Sequence, residues 1–80
     1  MSLLELTETI IKSLVNDPDE IKAKEFEEDD EIVIEVMIPS ESASTVIGKE
    51  GKIVNSIRTI VQASSYLKDN KKVKININVF

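Results

Sequence analysis

Val46-Ile47-Gly48-Lys49-Glu50-Gly51-Lys52-Ile53 holds both glycines of this 80-residue chain. Everywhere else the turns are made with Asn, Asp, Ser and Pro. Glycine tolerates positive φ and carries no Cβ, so a backbone partner can come close. Gly51 stands just before an apolar-periodic segment that reads as a helix. The free N–H groups and dipole of a helix start favour a phosphate there. Lys49 and Lys52 flank the loop as point charges. A bare G-x-x-G is also a common helix end with a tight turn, so its meaning depends on what surrounds it.

Working outward, the segment from about Lys52 to Leu67 is predicted helical, with Ile53, Ile57, Ile60, Ser64 and Leu67 as its inner stripe. Before the glycines, Glu41 to Ile47 reads as a short helix capped by Ser40 or Ser42. Upstream of Pro39, Glu31 to Ile38 alternates as a strand: Ile32, Ile34, Val36 and Ile38 on one face, Glu31, Val33, Glu35 and Met37 on the other. Ile21 to Phe26 is a weaker strand with Phe26 out of phase, which predicts a bulge or bend. The short acidic turn Glu27-Glu28-Asp29-Asp30 makes this pair an antiparallel hairpin. Leu3 to Val15 is amphipathic, opened by the capping box Ser2-Leu3-Leu4-Glu5 and ended at Asn16-Asp17-Pro18. Downstream, Lys72 to Val79 alternates Val73, Ile75, Ile77 and Val79 with Lys72, Lys74, Asn76 and Asn78. The order is α-β-β-α-α-β. The long helical crossover makes its flanking strands parallel. The expectation is one α+β two-layer domain over residues 1–80, a three-stranded mixed sheet with helices on one face.

Composition excludes several function classes. There are no cysteines and no histidines, which removes disulfides, Cys/His zinc sites and His-dependent nucleophile systems. No apolar run exceeds three residues, too short for a membrane span. A cytoplasmic location is expected. The net charge is −5, unevenly spread. Met1 to Glu41 carries 13 acids and 3 bases, and Ser42 to Phe80 carries 2 acids and 7 bases. That asymmetry suits an anionic partner on the second half.

With the glycine pair set in this order of elements, the chain resembles a type II KH domain, and most of all the small stand-alone bacterial KhpA (YlqC) family. Val46 to Ile53 and Ile57-Arg58-Thr59-Ile60-Val61 carry the resemblance, which extends over nearly the whole chain. It implies that Gly48, Lys49, Glu50 and Gly51 clamp the backbone of single-stranded RNA. It assigns Ile47, Ile53 and Ile57 to an apolar floor, and Lys52 and Arg58 to basic contacts. It also implies cytoplasmic action as an RNA chaperone or post-transcriptional regulator, self-association, pairing with a Jag (KhpB) type RNA-binding protein, and links to cell elongation and division in some bacteria. Glu50 departs from a phosphate-friendly loop and should weaken affinity. With only Phe26, Tyr66 and Phe80 as aromatics, broad base stacking is not expected. Tyr66 reads as a partly buried anchor.

Other signals carry little. Ser65-Tyr66-Leu67-Lys68 matches S-x-x-K without its partner motifs. The acidic run Glu27 to Glu31 lacks the spacing of a calcium loop, and Gly48 to Lys52 is too short for a P-loop. No acid–base pair is evident, so neither an enzyme nor a bound metal or cofactor is expected. Two readings stand: an RNA-binding module, or a KH scaffold that dimerises or docks with weak RNA binding of its own. A homodimer is expected through a second face of the long helix, made of Val54, Arg58, Val61 and Ser65.

Overall fold

Alternation in the central strand organises the molecule. In the computed structural model, which describes residues Met1–Phe80, β2 spans Glu31–Ile38 and buries Ile32, Ile34, Val36 and Ile38 on one face. It pairs antiparallel with β1 (Lys22–Glu27), from Lys22 opposite Met37 to Glu27 opposite Ile32. Its other side pairs parallel with β3 (Lys72–Val79), from Glu31 opposite Lys72 to Ile38 opposite Val79. The sheet order is β1-β2-β3. Three helices complete the order α-β-β-α-α-β: α1 (Leu3–Leu14), α2 (Ser40–Ile47) and α3 (Lys52–Lys68). This is the α+β architecture of a type II KH domain. Leu3 and Ile11 of α1, Val46 of α2, and Ile57 and Val61 of α3 close the core over the sheet, joined by Ile75 of β3.

The ends follow their local chemistry. Ser2 Oγ accepts from the Glu5 N–H at 3.1 Å and the Glu5 carboxylate accepts from the Ser2 N–H at 3.0 Å, the reciprocal capping box. At α2 the expected serine cap is replaced. Pro39 holds the cap position with no side-chain bond, and Ser40 begins the helix. The reason lies at the far terminus: Ser40 N–H donates to the Phe80 carbonyl at 2.8 Å, while Phe80 N–H donates to Ile38 at 2.9 Å. Phe80, just past the end of β3, thus satisfies one of the free donors of the first turn of α2.

Two packing expectations are corrected. The β1–β2 ladder is continuous, with no bulge at Phe26. Phe26 does lie out of phase with Ala23, but the strand accommodates this without a bulge by placing it opposite Val33 on the uncovered face, half exposed. On α3 the buried residues are Val54, Ile57, Val61 and Ser65, not the Ile53–Leu67 stripe. Val54, Val61 and Ser65 are therefore enclosed by their own chain and cannot line a dimer interface. Both stripes fit a 3.6-residue repeat and share Ile57, so helical period alone does not choose between them. The chosen stripe gives Ser65 a partner: its hydroxyl donates to the Lys71 carbonyl at 2.7 Å. That bond makes a buried hydroxyl acceptable.

Candidate nucleic-acid interface

Between α2 and α3 the chain makes a tight, non-helical turn over Lys49–Gly51, with the Gly51 N–H donating to the Gly48 carbonyl at 3.2 Å. Gly48 sits at φ 77°, ψ 173°, a region that is essentially glycine-only. A Cβ there would stand 2.7 Å from Ile53 Cγ1. Ile53 thus packs down on the backbone at Gly48, which is why this glycine cannot be replaced without movement. Gly51 has left-handed backbone, φ 75° and ψ 15°, and a Cβ there would meet only ordinary van der Waals contact, 3.6 Å from Asn55 Nδ2 and 4.0 Å from Val54 Cγ1. Glu50 between them is also left-handed at φ 58°, uncommon for a residue with a side chain. Gly51 caps α3 without a side chain, so no side-chain acceptor covers the first-turn N–H groups. Lys49, Glu50 and Lys52 project into solvent around that helix start.

From the loop, α3 runs beside the outer edge of β3. Arg58 turns to that edge, its Nε and Nη2 donating to the Ile75 carbonyl at 3.3 and 3.1 Å. Its Nη1 is held by Asn55 Oδ1 at 2.9 Å. One turn on, Gln62 Nε2 donates to the Lys71 carbonyl at 3.0 Å, and Gln62 Oε1 accepts from the Val73 N–H at 2.9 Å. A shallow depression of about 430 Å³ lies along this line, walled by Arg58, Thr59, Gln62, Ala63, Tyr66 and Val73. Across the α3–β3 loop, the Lys71 ammonium donates to the Glu27 carboxylate at 2.6 Å. This bond holds the Glu27 carboxyl below its usual range and the Lys71 ammonium above its own.

The sequence-derived residues are therefore only partly brought together. Gly48, Lys49, Glu50, Gly51 and Lys52 form one loop, and Ile47 is half-buried at its start. Ile53 braces the loop backbone. Ile57 lies in the core, 3% exposed, and offers no floor to a base. Arg58 serves the β3 edge. Tyr66, expected as a partly buried anchor, is 56% exposed and walls the depression. Sequence reading missed Gln62 entirely. Its one signal is position: Asn55, Arg58, Gln62 and Tyr66 recur at helical spacing along one polar flank.

Comparison with known proteins places these features in a family. The KhpA/KhpB KH domain matches residues 5–77. The chain is 41% identical to RNA-binding protein KhpA of Clostridium acetobutylicum over 73 residues, 91% of this chain and 96% of the relative. It is 32% identical to RNA-binding protein KhpA of Thermotoga maritima over 73 residues, 91% and 95% of the two chains. Among solved structures, Era of Aquifex aeolicus superposes with a TM-score of 0.67 at 19% identity, covering 96% of this chain and 29% of that one. Era in complex with MgGDPNP and nucleotides 1506–1542 of 16S ribosomal RNA gives 0.68, also at 19% identity and with the same coverage. At that identity the likeness speaks for the fold alone.

Proposed function

The chain belongs to the KhpA/KhpB family of KH domains, and from that premise we propose that it binds single-stranded RNA by clamping the phosphate backbone at Gly48-Lys49-Glu50-Gly51. The observation that carries the reading is the loop itself. Two glycines with positive φ bring bare backbone to the start of a 17-residue helix that has no side-chain cap. Lys49 and Lys52 stand on either side of it. Backbone N–H groups and the helix dipole supply the anion site, and the lysines add charge-assisted contacts. Bases then lie toward the depression between α3 and the edge of β3. Relatives named as RNA-binding proteins support this reading. Such contacts fix position without reading sequence, which suits an RNA chaperone or post-transcriptional regulator.

The test is the salt dependence of RNA binding by the purified protein. A groove of this size meets about 2–4 phosphates, so the logarithm of affinity should fall with the logarithm of salt at a slope of about 0.7 per phosphate. A slope near zero would remove the phosphate clamp.

One observation favours a second role beside the first. Ile53, Ile60 and Leu67 of α3 are 37%, 52% and 89% exposed. An apolar flank of this kind supports self-association, or pairing with a Jag-type RNA-binding protein, through residues other than Val54, Val61 and Ser65. Sedimentation of the wild-type chain against Leu67→Asp tests it: a concentration-dependent dimer lost in the variant is expected, and a monomer in both would remove it.

A further inference from the structure

The helices cover one face of the sheet and leave the other to solvent. Successive side chains of a strand point to opposite faces, so the register gathers four lysines on the open face: Lys22 and Lys24 on β1, Lys72 and Lys74 on β3. All four are exposed. The ion pairs of the molecule are Lys12 with Glu8 and Lys71 with Glu27, so none of the four is paired. Between these two rims the middle strand presents Glu31 and Glu35. Four lysines against two glutamates make the face basic, in a chain whose net charge is −5. The pattern sorts the parts of a nucleotide chain. The rims draw phosphates and the central carboxylates turn them away. Beside the carboxylates, Phe26 is 51% exposed and Val33 lies directly opposite it, an apolar seat for a base. The rims stand about 10 Å apart, twice the strand spacing, which leaves room for a base between them.

We propose that the open sheet face is a second site for single-stranded RNA, with the four lysines on phosphates and Phe26 stacked on one base. This goes beyond the loop clamp and shares with it only the premise that the chain binds single-stranded RNA. The two sites are joined by β3. Val73 walls the depression beside α3, and its neighbours Lys72 and Lys74 point to the opposite face of the same strand. An RNA that leaves the depression over the edge of β3 therefore arrives at a lysine rim. Held at the loop, its next nucleotides meet the face at high effective concentration. RNA suits this face better than an acidic polypeptide, because it brings both a repeated charge and a flat ring for Phe26. A second copy of the chain, docked face to face, would set the same lysines against one another.

The experiment compares pentauridine, which the loop and depression can hold alone, with dodecauridine, which reaches the open face. Affinity is read by fluorescence anisotropy across a range of salt. Two variants are used, each at exposed positions and checked for folding by circular dichroism. Lys24→Gln with Lys74→Gln removes one charge from each rim. It should weaken dodecauridine about tenfold and lower its salt slope by about 1.4, two phosphates' worth. Phe26→Leu keeps an apolar side chain in the strand and removes the ring. It should weaken dodecauridine about fivefold and leave its salt slope unchanged. Pentauridine should bind both variants as it binds the wild type. Equal losses for the two RNAs overturn the proposal, since a change in the overall field or fold would act on both. Unchanged dodecauridine binding in both variants also overturns it. So does polyglutamate binding as tightly as dodecauridine and lost in the same variants, which would give the face to an acidic polypeptide. A wild-type dimer that Phe26→Leu dissolves would give it to a second copy and overturn the proposal too. If dodecauridine binding depends on Phe26 and the rim lysines but survives Lys49→Asp with Glu50→Asp, the clamp fails and the sheet site stands. If the wild type binds neither RNA, both readings fall.

Discussion

The two flanks of α3 differ in what they face. One flank, with Asn55, Arg58 and Gln62, is bound to the edge of β3 through side-chain amide and guanidinium groups. The other, with Ile53, Ile60 and Leu67, is more apolar yet largely uncovered. The buried line of Val54, Ile57, Val61 and Ser65 runs between them. Apolar content alone would bury the second flank. The helix is instead turned so that its polar flank meets a strand edge whose backbone groups need partners. On this helix, satisfying the edge goes together with leaving three large aliphatic side chains in solvent.

The sharpest way to break this contrast is to place a charge on each side. Val61→Asp puts an unpaired carboxylate in the core and should cost about 4 kcal/mol or more. An 80-residue domain holds only about 4–12 kcal/mol in all, so the variant should be unfolded by circular dichroism. Leu67→Asp, at a position 89% exposed, should shift stability by no more than about 0.5 kcal/mol. Equal effects would show that the burial on α3 is assigned to the wrong side.

The two glycines offer a smaller contrast within the loop. Gly48→Ala meets both a glycine-only backbone and Ile53 at 2.7 Å, and should cost about 2–3 kcal/mol in urea unfolding. Gly51→Ala meets the left-handed penalty alone, about 1 kcal/mol. Pairing Gly48→Ala with Ile53→Ala sharpens this, because removing the Ile53 side chain should recover the steric part of the loss.

Smaller still is Glu50→Asn. Asn tolerates left-handed backbone better than Glu, so stability should rise by a few tenths of a kcal/mol. RNA affinity should rise as well, since a negative charge leaves the phosphate site. The smallest effect belongs to the exposed Glu27–Lys71 pair, which joins the hairpin to the α3–β3 loop. Lys71 lowers the Glu27 carboxyl from 4.5, so this contribution is complete above pH 4.5 and is lost as pH falls through the lowered value. Thermal midpoints of wild type and Glu27→Gln should coincide at the acid end and separate slightly above pH 4.5. The raised Lys71 ammonium loses its share only above its usual 10.5.

Much of this architecture is legible in the sequence where period leaves one solution. Strict alternation sets β2 and β3 with the observed bounds, and the capping box sets the start of α1. Where two solutions share a period, the sequence leaves the choice open. The phase of α3 depends on which stripe meets β3, a tertiary matter decided by bonds to Lys71, Val73 and Ile75. Phe26 misleads for a related reason: an aromatic residue suggests burial, while the strand's own alternation puts it on the open face. The loop from Gly48 to Lys52 is legible because glycine is scarce in this chain. Gln62 is not, since nothing in its neighbours announces that a strand edge lies opposite.

Retention of cellular RNA by the purified protein, compared between the wild type and a double variant with Lys49→Asp and Glu50→Asp, tests the clamp most directly. Both glycines remain and the replaced side chains are exposed, so circular dichroism and the thermal midpoint should be those of the wild type. The account predicts that the wild type carries RNA and that the variant, with like charge set against the phosphates, loses it. A folded variant that retains as much RNA as the wild type would contradict the account, because the RNA would then be held somewhere other than the Gly48–Gly51 loop.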